Sequence, residues 1–221
     1  MSNFTFNSAN GGSIDSNSNT TRAIVAAGST IPYGASARTV SMWIYTVATS
    51  WNRDQNNVFL HGTAGSGRLD FGLDMDTPYP QMQFRNFGDG DITWTTTFQV
   101  VGWNNICITY GTDRNIRIYE NGVLTQNYFA PNPMKTSANT DIFIGSECAF
   151  RVFDGRISAV YLYNRALTAA EVLQNFNAPK RTLRSVMRAP LRKDDRQVSL
   201  YVKRSSRYRA CPPPRAIPPH R

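Results

Sequence analysis

Acid–base chemistry on a glycosidic bond needs two carboxylates about 5–9 Å apart. A strand supplies them most simply at a period of two. Residues 1–178 hold only three glutamates, and each has another explanation. Glu120 stands beside a turn, Glu147 follows an apolar run, and Glu171 belongs to a helix cap. Asp70, Asp74 and Asp76 come nearest to an acid pair, with Asp70 and Asp74 on one strand face. Aspartates of this kind are ordinarily solvated. His61 and His220 have no serine or cysteine nucleophile motif around them. The residue set argues against an enzyme.

Metal chemistry is equally thin. Gly88-Asp89-Gly90-Asp91 has the look of a calcium-type turn, but Ca²⁺ takes six to eight oxygens and two aspartates fall well short. No metal ligand is assigned, and Ca²⁺ stays open as a cofactor. Cys107, Cys148 and Cys211 are odd in number and widely spaced, so they read as free thiols. Ligand chemistry of another kind is better represented. Carbohydrate sites combine an aromatic platform with a few amide, carboxylate or guanidinium groups. Trp51, Tyr79, Arg85, Asn86, Asp89 and Trp94 all fall in loop or edge segments and are expected to converge at one rim as a glycan site. The competing reading makes Tyr79 and Trp94 edge-packing residues. Trp43 and Tyr45 are weaker candidates, because mid-strand aromatics are usually core.

These residues would be carried by short β-runs. In Thr39–Thr46, Val40, Met42 and Ile44 share one face, and Trp43 and Tyr45 the other. Further runs are expected at 57–61, 68–73, 81–84, 92–101, 105–110, 116–120, 123–129, 141–145 and 155–163. Ile106, Ile108, Ile116 and Ile118 can all point inward across a hairpin closed by Gly111-Thr112-Asp113. Asn121-Gly122 fits a two-residue type I′ turn, whose two central residues need φ > 0. One helix is predicted. Thr168 and Glu171 form a capping box, Leu167 and Val172 a hydrophobic staple, and Pro179 stops the helix after about Phe176. Many short strands with one helix point to an all-β, antiparallel two-sheet sandwich.

Charge divides the chain. Residues 1–178 contain 11 Lys+Arg and 13 Asp+Glu, whereas residues 179–221 contain 13 Lys+Arg and 2 Asp. The net charges of −2 and +11 make up the +9 of the whole, so the basic character belongs to the last segment. A nucleic-acid reading built on whole-chain charge is therefore misplaced, and nucleic acid is open only to this segment. Seven of the 12 prolines also lie there. The reading is a domain over 1–178 and a basic Pro/Arg-rich irregular tail over 179–221, disordered unless bound to a partner. Arg181, Arg184, Arg188, Arg192, Lys203, Arg204, Arg207 and Arg209 would anchor the tail, arginine favouring bidentate contacts. An extended piece at Val198–Val202 could pair with a partner's sheet edge. No run of about 18 apolar residues suggests a membrane span. MSNFTFNSAN lacks the charged and apolar regions of a secretory signal.

Several stretches, in order, resemble one family. Gly102-Trp103-Asn104-Asn105-Ile106-Cys107-Ile108-Thr109-Tyr110 is similar to the GxWxHVAxTYD strand of laminin-G-like, concanavalin A-like domains. Ile116–Val123 resembles their IxLYVNG hairpin, and Ile144-Gly145-Ser146 continues the likeness. Phe153–Leu167 resembles the FxGxIDEVRIYNRALSxxEV ending, and Phe4-Thr5-Phe6-Asn7 the first strand, which in the family pairs with the last. The resemblance implies a jelly-roll sandwich over about 3–178, with Ca²⁺ at the rim in some relatives and glycoside hydrolysis in others. These motifs, Trp103 among them, read as fold determinants that mark no site. The expectation is a non-catalytic lectin-like module that recognises glycan or protein surfaces, tethered to a larger viral or cell-surface assembly by its tail. The alternatives are a structural virion protein (minor capsid or surface decoration) and, last, a glycoside hydrolase. The expected location is a virion or an extracellular surface.

Overall fold

The computed structural model describes residues 6–7, 13–16, 23–25, 31–51, 56–62, 70–76, 80–85, 91–145, 152–178 and 197–199. Fourteen strands are found among them: β1 (Phe6–Asn7), β2 (Ser13–Ser16), β3 (Ala23–Val25), β4 (Arg38–Thr46), β5 (Asn56–Gly62), β6 (Asp70–Asp76), β7 (Gln81–Arg85), β8 (Ile92–Thr95), β9 (Gly102–Tyr110), β10 (Asn115–Glu120), β11 (Val123–Phe129), β12 (Ile142–Ile144), β13 (Gly155–Tyr163) and β14 (Gln197–Ser199). The larger sheet runs β1-β2-β13-β4-β9-β10-β11, with β14 added to β13. The smaller runs β3-β12-β5-β6-β7-β8. All pairings are antiparallel. A 3₁₀ turn spans Ala48–Trp51, and one α-helix, α1, spans Ala169–Asn177.

The two-residue period places the core. Val40, Met42 and Ile44 of β4 are buried and meet Ile106 and Ile108 of β9 and Ile116 and Ile118 of β10. From the other sheet come Phe59, Phe71, Leu73, Met75, Met82, Phe84 and Trp94. Burying each such side chain contributes about 1.5–3 kcal/mol. Asn121 and Gly122 take φ of 50° and 81°, as the type I′ turn requires.

Helix α1 forms where its capping box predicts. Thr168 Oγ1 accepts from Glu171 N at 3.3 Å, and Glu171 Oε2 accepts from Thr168 N at 2.8 Å. Leu167 and Val172 join Cys107 and Tyr119 in a second small core on the outer face of the larger sheet. The helix is thus a cover for that face.

Three sequence expectations change. The run expected over 92–101 stops at Thr95, because Thr96–Val101 is drawn into side-chain hydrogen bonds that compete with a ladder. β1 pairs with β2, and it is β2 that lies beside β13. The extended piece expected at Val198–Val202 is described over Gln197–Ser199, where it pairs with β13 of its own chain.

Candidate functional site

Two of the six residues expected at a glycan rim are interior. Trp94 is buried in the main core, and its Nε1 donates to Glu120 Oε1 at 2.7 Å. Its ring offers no face to a ligand; its place is structural. Arg85 is 2 % exposed and its Nη1 lies 2.9 Å from Asp74 Oδ2, while Asp74 Oδ1 accepts from Asn57 Nδ2 at 2.9 Å. Arg85 stands opposite Gly72 in the sheet, and a Cβ at Gly72 would meet Leu60 Cδ1 at 3.0 Å and Arg85 Cβ at 3.4 Å. Asp74 is therefore not a solvated aspartate. A fully buried carboxylate held by Arg85 and Asn57 is also not available as one half of an acid pair.

The remaining four rim residues are Trp51, Tyr79, Asn86 and Asp89. β7 pairs antiparallel with β6 on one side and β8 on the other, so its two connections leave from opposite ends. Five residues of strand put those ends about 17 Å apart. Tyr79 belongs to the β6–β7 connection, and Asn86 and Asp89 to the β7–β8 connection. The three lie outside the described residues, as does the Trp51 side chain. Trp51 closes the 3₁₀ turn that leads into β5, at the end of β4 that carries Tyr45.

That end holds a feature the sequence reading passed over. Arg156, Tyr45 and Trp103 stand opposite one another on β13, β4 and β9, forming one row across three neighbouring strands. All three face outward and are half-buried. The Tyr45 and Trp103 rings meet edge to face at 5.4 Å and 68°. The Arg156 guanidinium sits 5.2 Å from the Tyr45 ring centroid, within cation–π range. At about 4.8 Å between strands the row is about 10 Å wide. Along β4 the same face continues through Trp43, stacked on Phe176 of α1 at 5.5 Å and 15°. The helix covers Trp43, Ser41 and Thr39 and leaves the Tyr45 row beyond its end. Trp103 is thus not a core aromatic, and Tyr45 is not either. Period-two alternation put Tyr45 outside; nothing in the sequence told which outward aromatics the helix would miss.

The surroundings of the row are rigid. Thr49 and Ser50 of the 3₁₀ turn donate to the carboxylate and the carbonyl oxygen of Asp154, two residues before Arg156. Asn104 Nδ2 donates to Thr46 Oγ1 at 3.1 Å and to Gln99 O at 3.3 Å, and its Oδ1 accepts from Gln99 N at 3.2 Å. Glu120 accepts from Thr97 N at 2.7 Å and Thr97 Oγ1 at 2.6 Å as well as from Trp94. One buried carboxylate therefore couples Trp94 to the Thr96–Val101 segment, where Val100 and Val101 are 39 % and 53 % exposed. Gly155 lets β13 close on β4, since a Cβ there would run into the Tyr45 carbonyl oxygen and come within 2.6 Å of the Phe153 ring.

Among the described residues no group of three or more His, Cys, Asp and Glu could hold a metal ion. Asp89, Gly88 and Gly90 of the calcium-type turn lie outside them. Glu147, Cys148, Cys211, His220 and the tail residues from Arg181 to Arg209 named above also lie outside. Cys107 is buried, and loss of solvation pushes its thiol up to about 12. Among the described residues no helix is long and apolar enough to cross a membrane.

Comparison with known proteins places this geometry. No curated protein matches the chain in sequence. The solved binding domain of botulinum neurotoxin serotype G is similar over 79 % of this chain and 44 % of its own, at 16 % identity and a TM-score of 0.62. The receptor binding domain of botulinum neurotoxin D is similar over 80 % and 46 %, at 15 % identity and a TM-score of 0.63. The binding domain of Paraclostridial Mosquitocidal Protein 1 follows with 80 % and 48 %, 16 % identity and 0.57. The chain spans less than half the length of these domains, and the likeness is one of fold. Residues 17–173 match the family described as the concanavalin A-like lectin/glucanases superfamily. That match covers most of the chain, with all of the smaller sheet, β4, β9, β10, β11 and β13 of the larger and the start of the covering helix, and the chain belongs to this superfamily.

Proposed function

We propose that the protein is a non-catalytic module that recognises glycan surfaces through the Arg156–Tyr45–Trp103 row. The observation that carries the reading is the row itself: two aromatic rings in mutual contact and a guanidinium over one of them, half-buried on the outer face of the larger sheet. Aromatic faces take the C–H face of a pyranose, and an arginine fork takes hydroxyl or carboxylate oxygens. The non-catalytic part of the proposal is supported by the locked Asp74 and by structural neighbours that are named as binding domains, one of them solved with N-acetylneuraminic acid. In this reading the basic tail anchors the module to a larger assembly, at an extracellular or virion surface.

The test is a glycan array with the full chain, followed by titration of the best hits. Trp103→Ala and Tyr45→Ala should each weaken binding about tenfold or more, at about 1–2 kcal/mol for a lost stacking partner. Trp43→Ala, on the helix-covered part of the face, serves as the comparison. Absence of any glycan hit, or retention of binding in both row variants, refutes the proposal.

A further inference from the structure

β13 is nine residues long and its two sides are not treated alike. Along β4 it is paired over its whole length, from Gly155 to Tyr163. On the other side β2 pairs only with Gly155, Arg156 and Ile157. The remainder of that side would be an open edge. Ser158–Tyr163 reads Ser-Ala-Val-Tyr-Leu-Tyr, with no charge, proline or glycine, so none of the usual residues that blunt an edge is present. The edge also borders the core, for Leu162 is 1 % exposed. A strand is seated there: Gln197, Val198 and Ser199 of β14 stand opposite Tyr163, Leu162 and Tyr161.

Eighteen residues, 179–196, separate the end of the 17–178 part of the chain from β14. Fully extended they could reach about 60 Å. Nothing in the pairing itself requires the strand and the edge to come from one chain. We propose that the Tyr161–Tyr163 edge is a strand-acceptor site, and that its exchanging occupant is the Gln197–Ser199 strand of a second copy of this chain. The segment whose register on this edge is known is 197–199, and a second copy presents the same three residues to the same three partners. Exchange would link two sandwiches through their arms with no contact that the single chain lacks.

Magnitudes set where exchange becomes visible. A three-residue strand adds two or three backbone hydrogen bonds, about 1 kcal/mol each in net terms. The tether holds its own strand near the edge at an effective concentration of order 1 mM. Exchange between copies should therefore set in at hundreds of micromolar and fade on dilution.

The experiment is sedimentation equilibrium of the full chain from about 10 µM to about 1 mM, a range that brackets the tether's effective concentration. It is run for the wild type, Val198→Pro, Ser199→Pro and the double variant, since neighbouring residues turn their N–H groups to opposite sides and only one of the two prolines removes a ladder donor. Hydrogen exchange of the peptide covering 158–163 is read in parallel, with near-UV circular dichroism to confirm that the sandwich stays folded. Reversible dimerisation of the wild type, lost in one single proline variant and in the double variant together with protection of 158–163, is the expected result. A monomer at every concentration confines the strand to its own chain and overturns the proposal. Equal dimerisation in the proline variants places self-association elsewhere and overturns it too.

Discussion

His61 on β5 makes the clearest prediction about acid stability. The side chain is 3 % exposed and faces Arg38 of β4, itself buried beside Tyr110 of β9. Loss of solvation, and then the Arg38 charge, lower its pKa from 6.5 to about 4. The folded pKa lies below the unfolded one, so as pH falls the unfolded chain takes up the proton first. Stability is full above about pH 6.5 and is lost progressively as pH falls toward 4. The difference of 2.5 units corresponds to about 3 kcal/mol, at 1.36 kcal/mol per unit. Urea unfolding at half-unit steps from pH 8 to 4 reads it directly; with an m-value of about 2 kcal/mol/M the midpoint should fall by about 1.5 M. Asp113 and Glu171 overlap only the acid end of the window. Their Arg117 and Arg165 partners hold both near 2, so their contribution is lost only below about pH 4.5. His220→Gln in every sample removes the other histidine. Adding His61→Gln should flatten the profile between pH 6.5 and 4, whatever offset it causes at pH 8. An undiminished slope in that double variant would refute the reasoning.

Gly155→Ala must push β13 from β4, because the new methyl group meets the Tyr45 carbonyl and the Phe153 ring. It should cost about 1–3 kcal/mol in urea unfolding and weaken glycan binding, since Arg156 and Tyr45 shift apart. Glu120→Ala strips the acceptor from Trp94 Nε1 and from both Thr97 donors. With the buried Trp94 Nε1 left unsatisfied and the exposed Thr97 donors turning to water, it should cost about 1–3 kcal/mol, and Glu120→Gln less. Thermal unfolding of the two variants side by side checks the order.

Much of the scaffold was legible because its signals are local. The alternation in Thr39–Thr46, the Asn121-Gly122 turn and the Thr168/Glu171 capping box each depend on residues within a few positions of one another, and each stands as read. The end of β8 was misread because Thr96 and Thr97 spend their polar groups on Phe98 and Glu120, partners that propensity does not see. The site was less legible still. Arg85 looked like a loop-edge cation, but its partner Asp74 lies across the β6–β7 pairing. Trp94 looked like a platform, but its register opposite Met82 turns it into the core.

Taken alone, the sequence determined the all-β class, the antiparallel hairpins, the covering helix and the confinement of positive charge to 179–221. Those follow from period, turn chemistry and composition, which are properties of short stretches. Only the tertiary structure decided which aromatics remain at the surface. Trp43 and Tyr45 are two residues apart on one strand face, yet Phe176 of a distant helix stacks on the first while the second is left beside Trp103 and Arg156. Exposure of a side chain depends on what packs over it, and that neighbour comes from more than a hundred residues away.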